Sequence, residues 1–178
     1  MHSCGLRTCE VRRLRPKDID FDGATIQILW SKGNRSRRLA VTDEIMDLIA
    51  DCDTKTAKTF GSNRQYMFVT STGGQVGAAS VGQVFSRIWT AAGLPESKDG
   101  KKPRPYDFRH HFAYANIESW GREGRNVLSM LPYLAKYMGH SSYDSTYYYV
   151  HTSPDFMAEY ADIIKPRTSI LPEVGFNE

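Results

Sequence analysis

Met138-Gly139-His140-Ser141-Ser142-Tyr143-Asp144-Ser145-Thr146-Tyr147-Tyr148-Tyr149-Val150-His151 is the stretch from which the rest of the chain is read. Glycine at 139 is a helix stop, so the apolar pattern from Val127 to Met138 predicts a helix ending there, with His140 just beyond it. Asp144 opens a second helix, which carries three consecutive tyrosines. Aromatic runs usually serve core packing, so the tyrosines alone say nothing about chemistry. Successive helical positions face different ways, so Tyr147, Tyr148 and Tyr149 cannot all share one environment. Tyr149 lies nine residues after His140.

Upstream, Phe108 to Trp120 reads as a helix. Val81, Val84, Phe85, Ile88 and Trp89 recur at helical spacing over about 79–92 and predict a core helix that Gly93 stops. Asp22-Gly23 is a turn signal, and Thr25 to Trp30 reads as a strand. Ser31-Lys32-Gly33-Asn34 supplies a tight turn, and Arg37 to Val41 returns antiparallel, which places Lys32 at the tip of a hairpin. Asp43 starts a helix through Ile45, Met46, Leu48 and Ile49, and Tyr66 to Val69 suits a second short strand. Downstream, Asp155 to Ile164 is a last helix, followed by a tail broken by Pro166 and Pro172. The expected fold is mainly α with a small antiparallel β-sheet, an α+β domain over residues 1–165 with a tail over 166–178.

A chain of 178 residues, 40% hydrophobic and 24% charged, is suited to one globular core. The formal net charge of +3 implies no nucleic-acid partner by itself, so the distribution of charge decides. Basic residues gather at Arg12, Arg13, Arg15 and Lys17, at Lys32, Arg35, Arg37 and Arg38, and at Lys98, Lys101, Lys102 and Arg104. Such runs are commonly solvated faces, and they become a DNA footprint only beside a motif. Cys4, Cys9 and Cys52 are odd in number without a CxxC pair, which suggests neither a disulfide framework nor a zinc site, and no metal or cofactor is expected. No apolar run reaches the length of a membrane span and no signal-peptide core is present, so the expectation is a cytoplasmic protein without a membrane partner, nucleoid-associated when on DNA.

Two further segments carry potential chemistry. Gly5-Leu6-Arg7-Thr8-Cys9-Glu10 puts an arginine beside a glycine turn with a carboxylate three residues on. Pro105-Tyr106-Asp107-Phe108-Arg109-His110-His111 places Tyr106 and Arg109 on one face at a helix start, where amide groups and the helix dipole favour an anion. Surface ion pairing and ordinary capping explain each alone. His110 and His111 are adjacent, so they diverge on a helix and do not form a metal site.

The ordered set Gly-Leu-Arg-x-x-Glu, hairpin lysine, Arg-His, Gly-His-Ser-Ser and a tyrosine nine residues after the histidine resembles the tyrosine recombinases of the phage integrase family, from Gly5 to His151. The resemblance implies a tyrosine recombinase or type IB topoisomerase-like catalytic core. It makes Arg7 and Arg109 the phosphate-binding arginines, Lys32 the hairpin lysine, His140 a further donor, Tyr149 the nucleophile and Glu10 the support of Arg7. Where the family more usually has a histidine, three residues before the second arginine, this chain has Tyr106. A phenol with an ordinary pKa near ~10 is a poor proton shuttle, so Tyr106 is expected to donate a hydrogen bond to a phosphate oxygen.

The chemistry suits these residue types. Attack on a phosphodiester gathers negative charge on its non-bridging oxygens, and guanidinium forks meet that charge in two places without losing their own. The implied activity is site-specific recombination through a 3′-phosphotyrosyl intermediate without metal or ATP. The alternatives are a catalytically silent DNA-binding or assembly fragment and type IB topoisomerase-like relaxation. The implied partner is double-stranded DNA, contacted by Arg35, Arg37, Arg38, Lys101, Lys102 and Arg104. A homotetramer on DNA is also implied, in which the segment after Tyr149, with Phe156, Met157, Tyr160, Ile163 and Ile164, meets a neighbour. The family's preceding DNA-binding domain and the helix before Gly-Leu-Arg do not fit into Met1 to Cys4, so the chain is expected to be a piece of a longer architecture.

Overall fold

The computed structural model describes residues 1–29, 36–94, 104–142 and 144–152. Helix α1 (Thr8–Arg13) leads through a 3₁₀ turn (Pro16–Asp18) into strand β1 (Ile19–Asp20). Strands β2 (Thr25–Ile28) and β3 (Arg37–Ala40) complete an antiparallel sheet in the order β1-β2-β3. Ile26 faces both Ile19 and Leu39 in register, so one face presents apolar side chains at every second residue. Ile26, Ile28 and Leu39 are almost completely buried there, packed with Leu6, Leu14, Met46 and Met67. Helix α2 (Asp43–Phe60) covers this cluster with Met46.

The second half is helical: α3 (Ala78–Ala91), α4 (Asp107–Arg122), α5 (Val127–Met138) and α6 (Asp144–Thr152). Ala113 and Ile117 of α4, Leu131, Leu134 and Met138 of α5, and Tyr149 and Val150 of α6 form a second buried cluster. Asn126 caps α5 through its side chain, and Gly139 closes it with a left-handed φ of 69°. The mainly α fold with a small antiparallel sheet is as the sequence implied.

Two local readings are corrected, and one strand was not read from the sequence. Tyr66 to Val69 is not a strand: among the described residues Val69 forms an isolated bridge with Gln75 and no ladder. The short strand at Ile19–Asp20, whose sequence carries no alternation long enough to read, takes the free edge of β2 instead. Helix α3 is not a core helix. None of its residues is fully buried, Val84 is 44% and Ile88 62% exposed, and its apolar face lines an open groove together with Met1 and Phe108. Periodicity shows that a face is apolar; it does not supply the partner that covers it. The predicted helix Asp155–Ile164, with Phe156, Met157, Tyr160, Ile163 and Ile164, lies outside the described residues.

Candidate active site

A polar network fills the seam between the two apolar clusters. Arg109, on the first turn of α4, is completely buried. Its Nη2 donates to the Met138 carbonyl at 2.7 Å and its Nη1 to that of Gly5, so one guanidinium ties α4 to the end of α5 and to the turn before α1. Its buried Nε has no hydrogen-bond partner among the described residues. Burial, then the nearby charge of Arg7, lowers its pKa to about 10, which leaves it cationic at neutral pH.

Arg7 precedes α1 and donates Nη2 to the Gly139 carbonyl at 2.6 Å and Nη1 to Glu10 Oε1 at 2.9 Å. Glu10 also accepts from the Arg7 backbone N–H at 2.8 Å and from both Nη atoms of Arg37, at 2.9 and 3.0 Å. Burial alone would raise the Glu10 pKa; the hydrogen bonds from Arg37 and Arg7 outweigh it and hold the carboxyl at about 2. Arg7, Glu10, Arg37 and Arg109 thus bring one anion and three cations into a small partly buried volume. The excess is positive.

His140 follows the αL residue that closes α5. Its backbone N–H bonds the Ala135 carbonyl, and its Nδ1 lies 2.6 Å from Oγ1 of the fully buried Thr146 on α6, which fixes the ring. Burial, then Arg109, Arg7 and Arg37, lower its pKa to about 4, so the imidazole is neutral at physiological pH. Tyr149 stacks on it with ring centres 6.2 Å apart and also touches His110 and Tyr114. Tyr149 is 3% exposed, whereas Tyr147 and Tyr148 are 43% and 57% exposed. Of the run of three, Tyr149 is the one turned inward. Burial, against the charge of Arg109, pushes its phenol up to about 12.

The structure therefore brings Arg7, Glu10, Arg109, His140 and Tyr149 together. Tyr106 stands at the rim, half-exposed, with its ring against His110. Lys32, Arg35, Lys101 and Lys102 lie outside the described residues. Arg38 is exposed beside Gln27, and Arg104 is exposed and pairs with Asp107. Arg37, grouped by sequence with the DNA-facing arginines, is engaged inward, and the pleat explains it: Arg37 shares the face of buried Leu39, two residues on, while Arg38 points away. Sequence reasoning gave His110 no role, yet it sits between Tyr106 and Tyr149. The signal available was its place directly after Arg109 in the Arg-His pair of the ordered set, which His111 lacks. No group of three residues able to hold a metal occurs among the described residues, and none of their helices is long and apolar enough to cross a membrane.

Two consequences are measurable. At Gly139 an added Cβ would lie 2.7 Å from Nη1 of Arg37, and the backbone is left-handed. Gly139→Ala should cost about 1–2 kcal/mol from the backbone alone, read as a lower thermal midpoint, and should also slow any reaction that uses Arg7 or His140. The second concerns pH. The folded-state pKa of His140 is below the unfolded value, so the unfolded chain binds the extra proton; the stability from the neutral ring is present above about pH 6.5 and is lost as pH falls to about 4. Melts between pH 7 and 4 should show a shallower decline for His140→Gln than for the wild type; equal slopes would show that His140 does not titrate there. Glu10 contributes separately and lower, from about pH 4.5 down to about 2.

The model of the phage integrase family matches residues 1–155. The chain is 32% identical over 161 residues to the putative integrase/recombinase y4rE of Sinorhizobium fredii, an alignment covering 90% of the chain and 51% of that protein. Its fold is similar to that of the XerA recombinase (TM-score 0.73, 20% identity, 94% of this chain and 55% of that one). It is also similar to that of the XerH site-specific recombinase, seen bound to its palindromic difH substrate in a post-cleavage complex (TM-score 0.66, 21% identity, 92% and 43%). The chain spans about half the length of the curated relatives it matches.

Proposed function

The chain belongs to the phage integrase family of tyrosine recombinases, and on that premise we propose that it is the catalytic portion of a site-specific DNA recombinase with Tyr149 as nucleophile. The observation that carries the reading is the inward turn of Tyr149, against His140 and beside Arg109, while its two tyrosine neighbours stay exposed. The DNA bound by the XerH neighbour supports double-stranded DNA as the partner.

In the reaction, the Tyr149 Oη attacks phosphorus and the bond from phosphorus to the 5′ oxygen breaks, leaving a 3′-phosphotyrosyl link and a free 5′ hydroxyl. Arg7 and Arg109 face the charge that develops on the non-bridging oxygens, and His140 adds a donor through Nε2, since Thr146 occupies Nδ1. A phenol held near 12 does not ionise by itself at neutral pH, so its proton must leave as the oxygen attacks. His110, whose pKa burial lowers and whose ring touches Tyr149, is a neutral base at hand. The departing 5′ oxygen takes a proton from Lys32, and Tyr106 donates to a phosphate oxygen. The phosphotyrosyl bond conserves the energy of the broken link, so a second 5′ hydroxyl can reverse the step without ATP. Exchange between two sites calls for a tetramer on DNA, with the segment after Tyr149 contacting a neighbour.

The test is a denaturant-resistant adduct between the protein and a nicked duplex taken from the sequences flanking its gene. Adduct on those sites, without relaxation of a supercoiled plasmid that lacks them, is the expected result. Relaxation of any plasmid would point to topoisomerase-like activity, and binding without adduct would overturn the catalytic reading.

A further inference from the structure

Arg37 contributes three hydrogen bonds and spends all of them on the protein. Its Nη1 and Nη2 grip the two Glu10 oxygens, and its Nε donates to the Tyr137 carbonyl at 2.8 Å. Its side chain is only 11% exposed. Glu10 in turn holds Arg7, and Arg7 reaches the Gly139 carbonyl, so β3, the start of α1 and the turn before His140 form a closed ring of charge-assisted bonds. We propose that Arg37 is a positioning residue for DNA cleavage, which sets Arg7 by sharing the Glu10 carboxylate with it and fixes the turn that carries His140; this rests on the recombinase reading above.

The physical reason is competition for one carboxylate. Glu10 Oε1 is 2.9 Å from Nη1 of both Arg7 and Arg37. While Arg37 binds both oxygens, Arg7 donates one side-chain hydrogen bond to Glu10, from Nη1 to Oε1, and another to the Gly139 carbonyl. Without Arg37, Glu10 can draw Arg7 into a two-point pair, which moves the guanidinium away from the Gly139 carbonyl that it holds now. The Tyr137 carbonyl also loses its tether, one residue before the Met138 carbonyl that Arg109 holds.

The experiment compares wild type, Arg37→Ala and Arg37→Lys on the nicked duplex, measuring single-turnover cleavage at saturating DNA and, separately, Kd as a function of salt. Loss of a positioning partner should slow cleavage about 10- to 100-fold and leave Kd and its salt slope unchanged. Arg37→Lys keeps charge and stem, and so the fold, but one ammonium cannot replace the fork, so it should also be slow. In an Arg7→Lys background, removing Arg37 should add little, because its effect passes through Arg7. Weaker binding with a salt slope reduced by about one and an unchanged saturating rate would make Arg37 a phosphate contact and overturn the proposal. A wild type that cleaves no faster than its Arg37 variants overturns this inference alone. A wild type that forms no adduct overturns the recombinase reading beneath it.

Discussion

Tyr149→Phe abolishes the covalent protein–DNA adduct while leaving DNA binding intact: that is the largest effect expected of any single substitution here. Phenylalanine preserves the ring that packs on His140, His110 and Tyr114, so the second apolar cluster should survive. Only the hydroxyl is lost. Removing a covalent nucleophile elsewhere costs on the order of 10⁶ in turnover, which puts the variant below detection in an adduct assay. Tyr148→Phe and Tyr147→Phe remove hydroxyls from exposed rings and should retain the adduct. If Tyr149→Phe still traps DNA and Tyr148→Phe does not, the nucleophile has been misassigned by one residue. Measuring binding by anisotropy and adduct by denaturing gel on the same samples keeps the two properties apart.

That assignment illustrates how far the sequence carried. Spacing from His140 singled out Tyr149 among three identical neighbours, and on the helix from Asp144 Tyr149 is the one of the three that is buried. Helix α5 was legible at its end because Gly139 is a chemical stop in the αL conformation, and at its start only through the apolar pattern from Val127, since the Asn126 side-chain cap that fixes that end was not read from the sequence. Helix α2 was legible at its start, but its apolar stripe fades after Ile49. Its last turns to Phe60 carry polar residues that continue the helix through backbone bonds without marking the pattern. The open face of α3 and the false strand at Tyr66 to Val69 share one cause: composition reports what a segment prefers to touch, and tertiary structure decides whether a partner is there. Arg37 was misplaced for a different reason. Its charge suggested the surface, while strand alternation, already available from Leu39, placed it inside with Glu10.

Arg109 is the second residue whose loss should be severe, and there structure and chemistry must be separated. Arg109→Ala removes the proposed phosphate donor, at an expected cost on the order of 10²–10³ in cleavage rate. It also strips the donors from the buried Gly5 and Met138 carbonyls, each worth about 1–3 kcal/mol if left unpaired, and opens a void between the two clusters. Opposing these losses, the charge is expensive where it sits: burial, then Arg7, already depress its pKa to about 10, and removing it relieves both. A buried cation replaced by an apolar side chain of similar volume is often tolerated. Arg109→Met should therefore melt closer to wild type than Arg109→Ala and yet be as slow in cleavage, because methionine fills the space without offering an N–H to phosphate. Arg109→Lys keeps the charge but cannot reach both carbonyls and a phosphate with one ammonium, so it should cleave slowly as well. A fast Arg109→Met variant would remove Arg109 from the chemistry and leave it a purely structural clamp. A slow, well-folded one would assign the buried charge to the transition state, which is the gain that offsets holding a cation between two apolar cores.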